Sequence, residues 1–191
     1  MPATRISRRA LTVGLAVIPA VLGTTTAVSA ASGSVVDPAA GSSDGLSHSS
    51  ESIHQELTFK ASRRQVYEAL TSTSRFDALT RLSDALALVT APGAKATAIS
   101  REMGGPFTLF GGYITGRHLE MVPDERLVQA WRAASWKPGD YSVVKFTLAA
   151  HDTGCRLLLD HRGFPEGRGA SLASGWGVHY WEPLAKLLAQ G

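Results

Sequence analysis

The chain has 191 residues, 44% hydrophobic and 18% charged, which suits one domain with its own core plus terminal extensions. Its formal charge of +3 comes from residues 1–30, which hold three of the 19 basic residues and no acid; the other 16 match the 16 acidic residues. A domain with balanced charge lacks the basic face that nucleic acid requires, so we expect no nucleic-acid partner.

Residues 1–30 have the pattern of a signal peptide. The stretch 7–11 reads Ser-Arg-Arg-Ala-Leu, and the apolar run 10–22 that follows has thirteen residues. About 20 residues are needed to span a bilayer, so we expect no stable membrane anchor. Small residues at 28–30 fit a cleavage site. The pattern therefore predicts an exported protein, periplasmic or secreted.

The arginine pair is similar to the twin-arginine signal, which implies the twin-arginine export machinery as a partner and folding before export. An ordinary secretory signal that happens to carry two arginines is the alternative. Residues 31–52 are dominated by serine and glycine and have no aromatic residue. This composition predicts a disordered linker, so we place the folded domain at 53–191.

The domain begins with a strand and a helix. Apolar and polar residues alternate over 53–59, which predicts a half-buried strand. Ser62 and Gln65 have the spacing of a capping box at the start of a helix, and apolar residues continue at helical spacing to Phe76. A second short helix is predicted over 83–89.

From residue 95 the pattern has a period of two, which indicates strands joined by short turns and hence antiparallel pairing. Glycine, proline and aspartate occupy the turns between them. The predicted strands are 97–103, 106–110, 113–121, 127–133, 141–150 and 156–161.

The last segment, 169–189, is predicted to be one long helix with a broad apolar stripe, bent locally at Pro183. A sheet with one buried face needs a cover, and this helix is the element long enough to provide it. The fold class is therefore α+β: a curved antiparallel sheet of six to seven strands around a long C-terminal helix. The space between them is where a ligand would bind.

An ordered set of short motifs resembles a known family. The motifs are Gly104-Gly105-Pro106-Phe107, Phe110-Gly111-Gly112-Tyr113, Leu119-Glu120-Met121-Val122-Pro123, Ala130-Trp131-Arg132, His161-Arg162-Gly163-Phe164-Pro165 and Tyr180-Trp181-Glu182-Pro183-Leu184. They resemble the C-terminal domain of activators of Hsp90 ATPase and its stand-alone bacterial relatives. The wider superfamily is the START-like, or SRPBCC, helix-grip fold. The resemblance implies a cavity under the C-terminal helix. The segment 83–95 departs from the family pattern by lengthening the region before the double glycine, and we expect it to form part of the cavity mouth.

The candidate cavity residues are aromatic side chains and histidines. Trp176 and Tyr180 share the apolar stripe of the last helix. The full candidate set is Trp131, His161, Phe164, Trp176, His179 and Tyr180. Core packing is the alternative for each tryptophan. A hydrogen-bonded histidine that closes the turn after the last strand is the alternative for His161.

Catalytic and metal signatures are not found in the sequence. Asp160, His161 and His179 suggest acid–base or metal chemistry, but no paired His or Cys spacing accompanies them. No Gly-x-Ser-x-Gly elbow or phosphate-binding glycine loop is present. We expect no metal and no cofactor, and we assign no catalytic residue. Cys155, the single cysteine, is interpreted as a buried strand residue.

Three functions remain open. The first is binding of a small hydrophobic or aromatic molecule in the cavity. The second is a cyclase- or hydrolase-like enzyme that uses the same cavity, which requires at least two titratable groups inside it. The third is a protein-partner module of the co-chaperone type, which requires an exposed apolar or charged patch.

Overall fold

The structure, a computed structural model, describes residues 51–190. The predicted signal peptide and nearly all of the predicted linker lie outside the described residues. The strands are β1 (Ser52–Phe59), β2 (Ala98–Ile99), β3 (Pro106–Leu109), β4 (Ile114–Val122), β5 (Arg126–Ala133), β6 (Ser142–His151) and β7 (Gly154–Arg162). The helices are α1 (Arg63–Thr71), α2 (Thr73–Arg81), α3 (Leu86–Thr90), α4 (Gly169–Trp176) and α5 (Glu182–Leu188).

The seven strands form one antiparallel sheet in the order β1-β7-β6-β5-β4-β3-β2. Strands adjacent in sequence from β2 to β7 are adjacent in the sheet, as short turns require. Burial alternates along β5, where every second residue is buried. The predicted fold class, a curved antiparallel sheet with a C-terminal helix against one face, is confirmed.

The predicted start of the domain is also confirmed. β1 buries Ile53 and Phe59 and exposes the residues between them in alternation. Ser62 accepts a hydrogen bond from the Gln65 backbone N–H, while the Gln65 side chain accepts one from the Ser62 backbone N–H. These reciprocal bonds satisfy two backbone donors that a helix start leaves free.

Three predicted elements differ from the structure. The short helix predicted over 83–89 is α3, which begins only at Leu86 because a turn occupies the preceding residues. The first helix is broken at Ser72, whose extended backbone separates α1 from α2. The predicted strand 97–103 is reduced to β2, because the chain turns back over the next residues. Gly104 has a φ of 78°, and the Gly105 backbone N–H bonds to the Glu102 carbonyl. A left-handed residue and a tight turn cannot continue a strand.

The C-terminal helix is continuous from α4 to α5, but its middle, Gly177–Trp181, is π-helical. Pro183 has no N–H for the preceding turn, so a wider turn before it removes the need for that bond. The predicted bend at Pro183 therefore takes the form of a π-helical segment. The three parts together are called the C-terminal helix below.

The two faces of the sheet have different chemistry. The inner face packs against the C-terminal helix through buried side chains such as Leu157, Leu159 and Leu184. The outer face carries charged groups, and Asp160 there contacts both His54 and Lys145. Within residues 51–190, no helix has the length and apolar character needed to span a membrane.

Candidate functional site

A cavity of about 220 Å³ lies between the sheet and the first half of the C-terminal helix. β4 and β5 supply its floor, α4 and the π-helical segment its roof, and α3 one side. Its lining residues are Ala85, Leu88, Phe110, Tyr113, Ile114, Trp131, Ser171, Leu172, Gly175, Trp176, His179 and Tyr180. The second half of the same helix packs closely, with Leu184 fully buried.

A left-handed turn after β3 holds α3 beside the cavity. Phe110, Gly111 and Gly112 have φ values of 49°, 69° and 94°. Only glycine tolerates such angles freely, and Phe110 adopts one at a cost of about 1–2 kcal/mol. The Gly111 Cα lies so close to the Leu88 carbonyl that a side chain there would collide with it. The turn and α3 are thus packed backbone to backbone.

Aromatic rings form most of the cavity wall. The Tyr180 ring lies 4.3 Å from the Trp176 ring and 5.2 Å from the Phe110 ring, measured between centroids. Trp131 lies 5.9 Å from Trp176. Edge-to-face and tilted pairs at these distances are favourable and rigid. The wall is therefore fixed by ring packing and presents flat apolar surfaces.

Three buried polar atoms on the cavity-lining residues have no hydrogen-bond partner within residues 51–190. They are Trp131 Nε1, His179 Nδ1 and the Tyr180 hydroxyl. Burial raises the pKa of Tyr180 above its ordinary value, and the nearby Trp131 N–H opposes this rise only in part. Tyr180 is consequently neutral and keeps its proton.

His161 does not line the cavity, and both of its ring nitrogens have hydrogen-bond partners. Its Nδ1 accepts from the Trp176 indole N–H at 3.1 Å, and its Nε2 lies 2.7 Å from the Ser142 hydroxyl. That hydroxyl donates to the Trp131 carbonyl at 3.0 Å. Because Trp176 can only donate, His161 must carry its proton on Nε2. Burial lowers the pKa of His161 to about 4, so the ring is neutral.

The structure divides the predicted site residues into two groups. Trp131, Trp176, His179 and Tyr180 line the cavity. His161 and Phe164 do not: they contact each other behind it, with ring centroids 4.9 Å apart. His161 is hydrogen-bonded, as its alternative predicted, but its partners are Ser142 on β6 and Trp176 in the C-terminal helix rather than the turn after β7.

Asp160, although adjacent to His161 in sequence, lies on the opposite face of the sheet. Successive side chains of a strand point to opposite faces, so these two groups never meet. The outer-face hydrogen bonds of Asp160, first of all that with His54, lower its pKa. The Asp160–His161 pair therefore does not form an acid–base or metal site.

Several lining residues were not identified from the sequence. Ala85 and Leu88 lie in the segment proposed for the cavity mouth, but neither was named individually. The others are Phe110, Tyr113, Ile114, Ser171, Leu172 and Gly175. The double glycine after Phe110 is a usable signal, because it marks a backbone turn in which only small residues fit. Ser142, which completes the His161 network, has no local sequence signal.

Metal and thiol chemistry have little support in the described part of the chain. Residues 51–190 contain no group of three His, Cys, Asp or Glu side chains placed to hold a metal ion. Cys155 is fully buried on β7, and burial raises the pKa of its thiol. The predicted interpretation of Cys155 as a buried strand residue is confirmed.

Comparison with known proteins agrees with the fold. The family model described as "Activator of Hsp90 ATPase homolog 1-like protein" matches residues 60–189. The mouse activator of 90 kDa heat shock protein ATPase homolog 1 is 25% identical over 134 residues, which cover 70% of this chain and 36% of that protein. The chain thus spans little more than a third of that relative's length.

Solved structures are similar in fold. An HSP90 activator from Plasmodium falciparum superposes with a TM-score of 0.60 and 22% identity, covering 73% of this chain and 96% of that one. Protein MLL2253 from Mesorhizobium loti gives a TM-score of 0.58 and 21% identity, covering 73% and 98%. The chain therefore belongs to the activator of Hsp90 ATPase homolog 1-like family, within the START-like SRPBCC superfamily.

Proposed function

We propose that this is an exported protein that binds a small hydrophobic or aromatic molecule in the cavity between the sheet and the C-terminal helix. The observation that carries the proposal is the 220 Å³ space left where α4 crosses β4 and β5. Protein interiors are normally packed without voids of this size. A fold that keeps one, lined by rings and aliphatic side chains, has the features of a ligand site.

The size of the cavity limits the ligand. An apolar cavity of roughly 150 Å³ holds benzene, whereas pockets for drug-sized ligands are roughly 300–1,000 Å³. At about 220 Å³, this cavity suits a molecule of one or two rings or a short branched chain. A larger ligand requires α3 to move outward.

α3 is the natural route of entry. It is one short helix without a buried residue, and Leu86 and Leu88 are 41% and 43% exposed. A segment with so few buried contacts opens more readily than the core. The cavity already opens to solvent at Leu88 and Tyr113, which are 43% and 42% exposed, and movement of α3 would widen this opening without disturbing the sheet.

Filling the cavity tests the proposal. A side chain added at Gly175 would point past His179, whose nearest atom is 3.9 Å away, so Gly175→Leu should occupy the space. Gly177→Leu is the matched control, because Gly177 lies in the same helix but outside the lining. Native mass spectrometry and thermal shift with one- and two-ring aromatic compounds should detect binding to the native chain and to Gly177→Leu. Binding retained by Gly175→Leu would contradict the proposal.

Export is supported by the sequence of residues 1–30. A fusion of residues 1–50 to a reporter should be exported, and replacement of Arg8 and Arg9 by lysine should block export through the twin-arginine route. Export that survives this double replacement would point to the ordinary secretory route instead. Retention of the unaltered fusion inside the cell would contradict export altogether.

A co-chaperone-like role is the second candidate, favoured by the similarity to activators of Hsp90 ATPase. It requires an exposed patch, and the described surface includes the exposed apolar side chains of Tyr141 and Val143, at 53% and 46%. The test is stimulation of an Hsp90-class ATPase by the chain. Stimulation that survives Gly175→Leu but is lost in Tyr141→Ser/Val143→Ser would favour this role over ligand binding.

Fewer observations support the enzymatic alternative than support ligand binding. His161 uses both ring nitrogens in its network and is not available as an acid or base. His179, Tyr180 and Tyr113 are the titratable groups of the lining. Turnover of a bound ester by the native chain, lost on replacement of His179, would be needed to support this function.

A further inference from the structure

We propose that two copies of this chain associate edge to edge through β1, so that their sheets join into one continuous sheet. This inference goes beyond the proposed ligand-binding function and does not depend on it. It starts from the two edges of the sheet, which are formed by β1 and β2.

The two edges differ in length and composition. β2 has two residues, and β3 beside it begins with Pro106, which has no N–H to donate to another strand. β1 has eight residues and no proline. Within the part of the chain that the structure describes, its backbone is paired with β7 alone. The other side of β1 therefore offers a row of unpaired N–H and C=O groups to which a second strand can be added.

The side chains of β1 are self-complementary in one register. A two-fold axis perpendicular to the sheet makes two β1 strands antiparallel and keeps their inner faces on the same side. With the axis at Gln55, His54 lies opposite the partner's Glu56, and symmetry produces this basic–acidic pair twice. Ile53 then lies opposite the partner's Leu57, which its own chain buries only in part. Opposite charges and apolar pairs directly across two strands stabilise a sheet.

Neighbouring registers place like groups together. With the axis at Glu56, this carboxylate lies opposite its own copy. With the axis at His54, the two histidines lie opposite each other, and with the axis at Leu57, His54 lies opposite Lys60. Like charges in directly opposite positions destabilise strand pairing. Axes farther out shorten the overlap within β1, so the sequence of the strand favours the axis at Gln55.

His54 and Glu56 are available for contacts with a partner. Their side chains are 61% and 53% exposed. Within its own chain, His54 donates through Nδ1 to Asp160, and Glu56 uses Oε1 for its contact with Arg156. The second carboxylate oxygen of Glu56 can therefore accept a hydrogen bond from His54 Nε2 of the partner subunit. That nitrogen carries a proton when the ring is charged, so the association is best measured in mildly acidic solution.

The helix beside this edge leaves room for a second copy. The same two-fold axis brings the C-terminal helices of both copies to one side of the joined sheet. The cleft beside the start of β1 is lined on the helix side by Gly169, Ala170 and Ala173, whose small side chains permit close approach. Gln55, at the axis, is already hydrogen-bonded to the Ala173 carbonyl and to the Trp181 N–H. Pairing at the axis therefore leaves no Gln55 group without a partner.

Charge variants test both the surface and the register. Sedimentation velocity of the full native chain at pH 6, over a range of concentrations, should show a monomer–dimer equilibrium. His54→Glu places two carboxylates opposite each other, and Glu56→Lys places a lysine opposite a histidine. Each variant alone should therefore dimerise at least about tenfold more weakly. Mixed in equal amounts, the two variants should form a heterodimer, because each carboxylate of the first then lies opposite a basic side chain of the second.

Glu125→Lys is the matched control. It changes the charge as much as Glu56→Lys does, but the exposed Glu125 lies in the turn between β4 and β5, away from the β1 edge. Dimerisation should survive this change. Thermal unfolding checks that all variants fold. Amide hydrogen exchange supplies a second measurement: residues 52–58 of the native chain should exchange more slowly as its concentration rises.

Three results would overturn the proposal. The first is a native chain that remains monomeric at about 1 mM. The second is a dimer that both single variants leave intact, since it would use another surface. The third is a pair of monomeric variants that form no heterodimer on mixing, since the loss would then not come from opposed charges across β1.

Discussion

Two regions under the C-terminal helix differ in whether their buried polar groups are hydrogen-bonded. Around His161, every side-chain polar atom of the network has a partner, and the chain of donors ends on the Trp131 carbonyl. Around Tyr180, one helical turn away from Trp176, the Tyr180 hydroxyl and the Trp131 indole nitrogen are buried without a hydrogen-bond partner in the described part of the chain. Trp131 belongs to both regions: its carbonyl is satisfied and its indole is not.

The difference separates His161, whose two ring nitrogens both have partners within the fold, from Tyr180, whose hydroxyl the fold leaves unpaired. A closed network fixes a tautomer, fills space and stabilises the fold. A buried polar group without a partner costs free energy and adds no such stabilisation. Removing groups from each region should therefore have different consequences.

The largest expected effect is the loss of His161. His161→Leu should lower the free energy of unfolding by about 3–4 kcal/mol, because the Trp176 N–H and the Ser142 hydroxyl lose their buried partner. Urea unfolding at neutral pH measures this. A loss below about 1 kcal/mol would mean that the network does not stabilise the fold.

The second largest effect is expected at acidic pH, where protonation of His161 should destabilise the folded protein. The pKa of His161 is lowered from 6.5 to about 4 in the folded state, so the unfolded chain binds this proton more readily. Stability should be complete above about pH 6.5 and fall by about 2–3 kcal/mol on lowering the pH to 4.5. His118, whose pKa burial also lowers, acts in the same direction. His161→Leu should remove the larger part of the slope; an unchanged slope would contradict the assignment.

The third prediction concerns the contact between α3 and the turn at Gly111, beside the cavity. Gly111→Ala should destabilise the fold by about 2 kcal/mol, since the added Cβ meets the Leu88 carbonyl at a left-handed position. Gly139→Ala is the control: its φ is 91° but nothing lies within 4 Å, so only the strain of about 1 kcal/mol remains. Ligand exchange should be faster in Gly111→Ala alone. Equal effects of the two variants would show that α3 does not pack as described.

The smallest expected effects compare the two regions most directly. Ser142→Ala and Tyr180→Phe each delete one buried hydroxyl. Ser142→Ala should cost about 1–2 kcal/mol, because it leaves the His161 N–H and the Trp131 carbonyl unpaired. Tyr180→Phe should change stability by less than about 0.5 kcal/mol, since no bond is lost. Chemical denaturation of both variants without ligand measures the difference, and equal losses would contradict the contrast.

Local patterns allowed much of the fold to be predicted. The alternation of β1, the capping box at Ser62 and the apolar stripe of the C-terminal helix are properties of neighbouring residues. The break at Ser72 was missed because apolar spacing continues through it to Phe76. The π-helical segment was missed because its apolar residues keep three- and four-residue intervals on both sides.

The site was harder to predict because hydrogen-bond partners are distant in sequence. Ser142 and His161 are 19 positions apart, and nothing local indicates that one completes the other. The aromatic residues of the C-terminal helix were predictable as cavity wall from helical spacing. Which of them lacks a hydrogen-bond partner depends on packing in three dimensions, which the sequence alone does not predict.

The most direct measurement follows the indole N–H signals by NMR as 2-acetylnaphthalene is added to the full chain. The signals of Trp131 and Trp176 can be assigned with Trp131→Phe and Trp176→Phe. We predict saturable shifts of the Trp131 and Trp176 signals, because both rings line the cavity, while the Trp181 signal, assigned in the same way and belonging to a ring outside the lining, stays close to its original position. A Trp131 signal that does not move at saturating ligand would contradict the account.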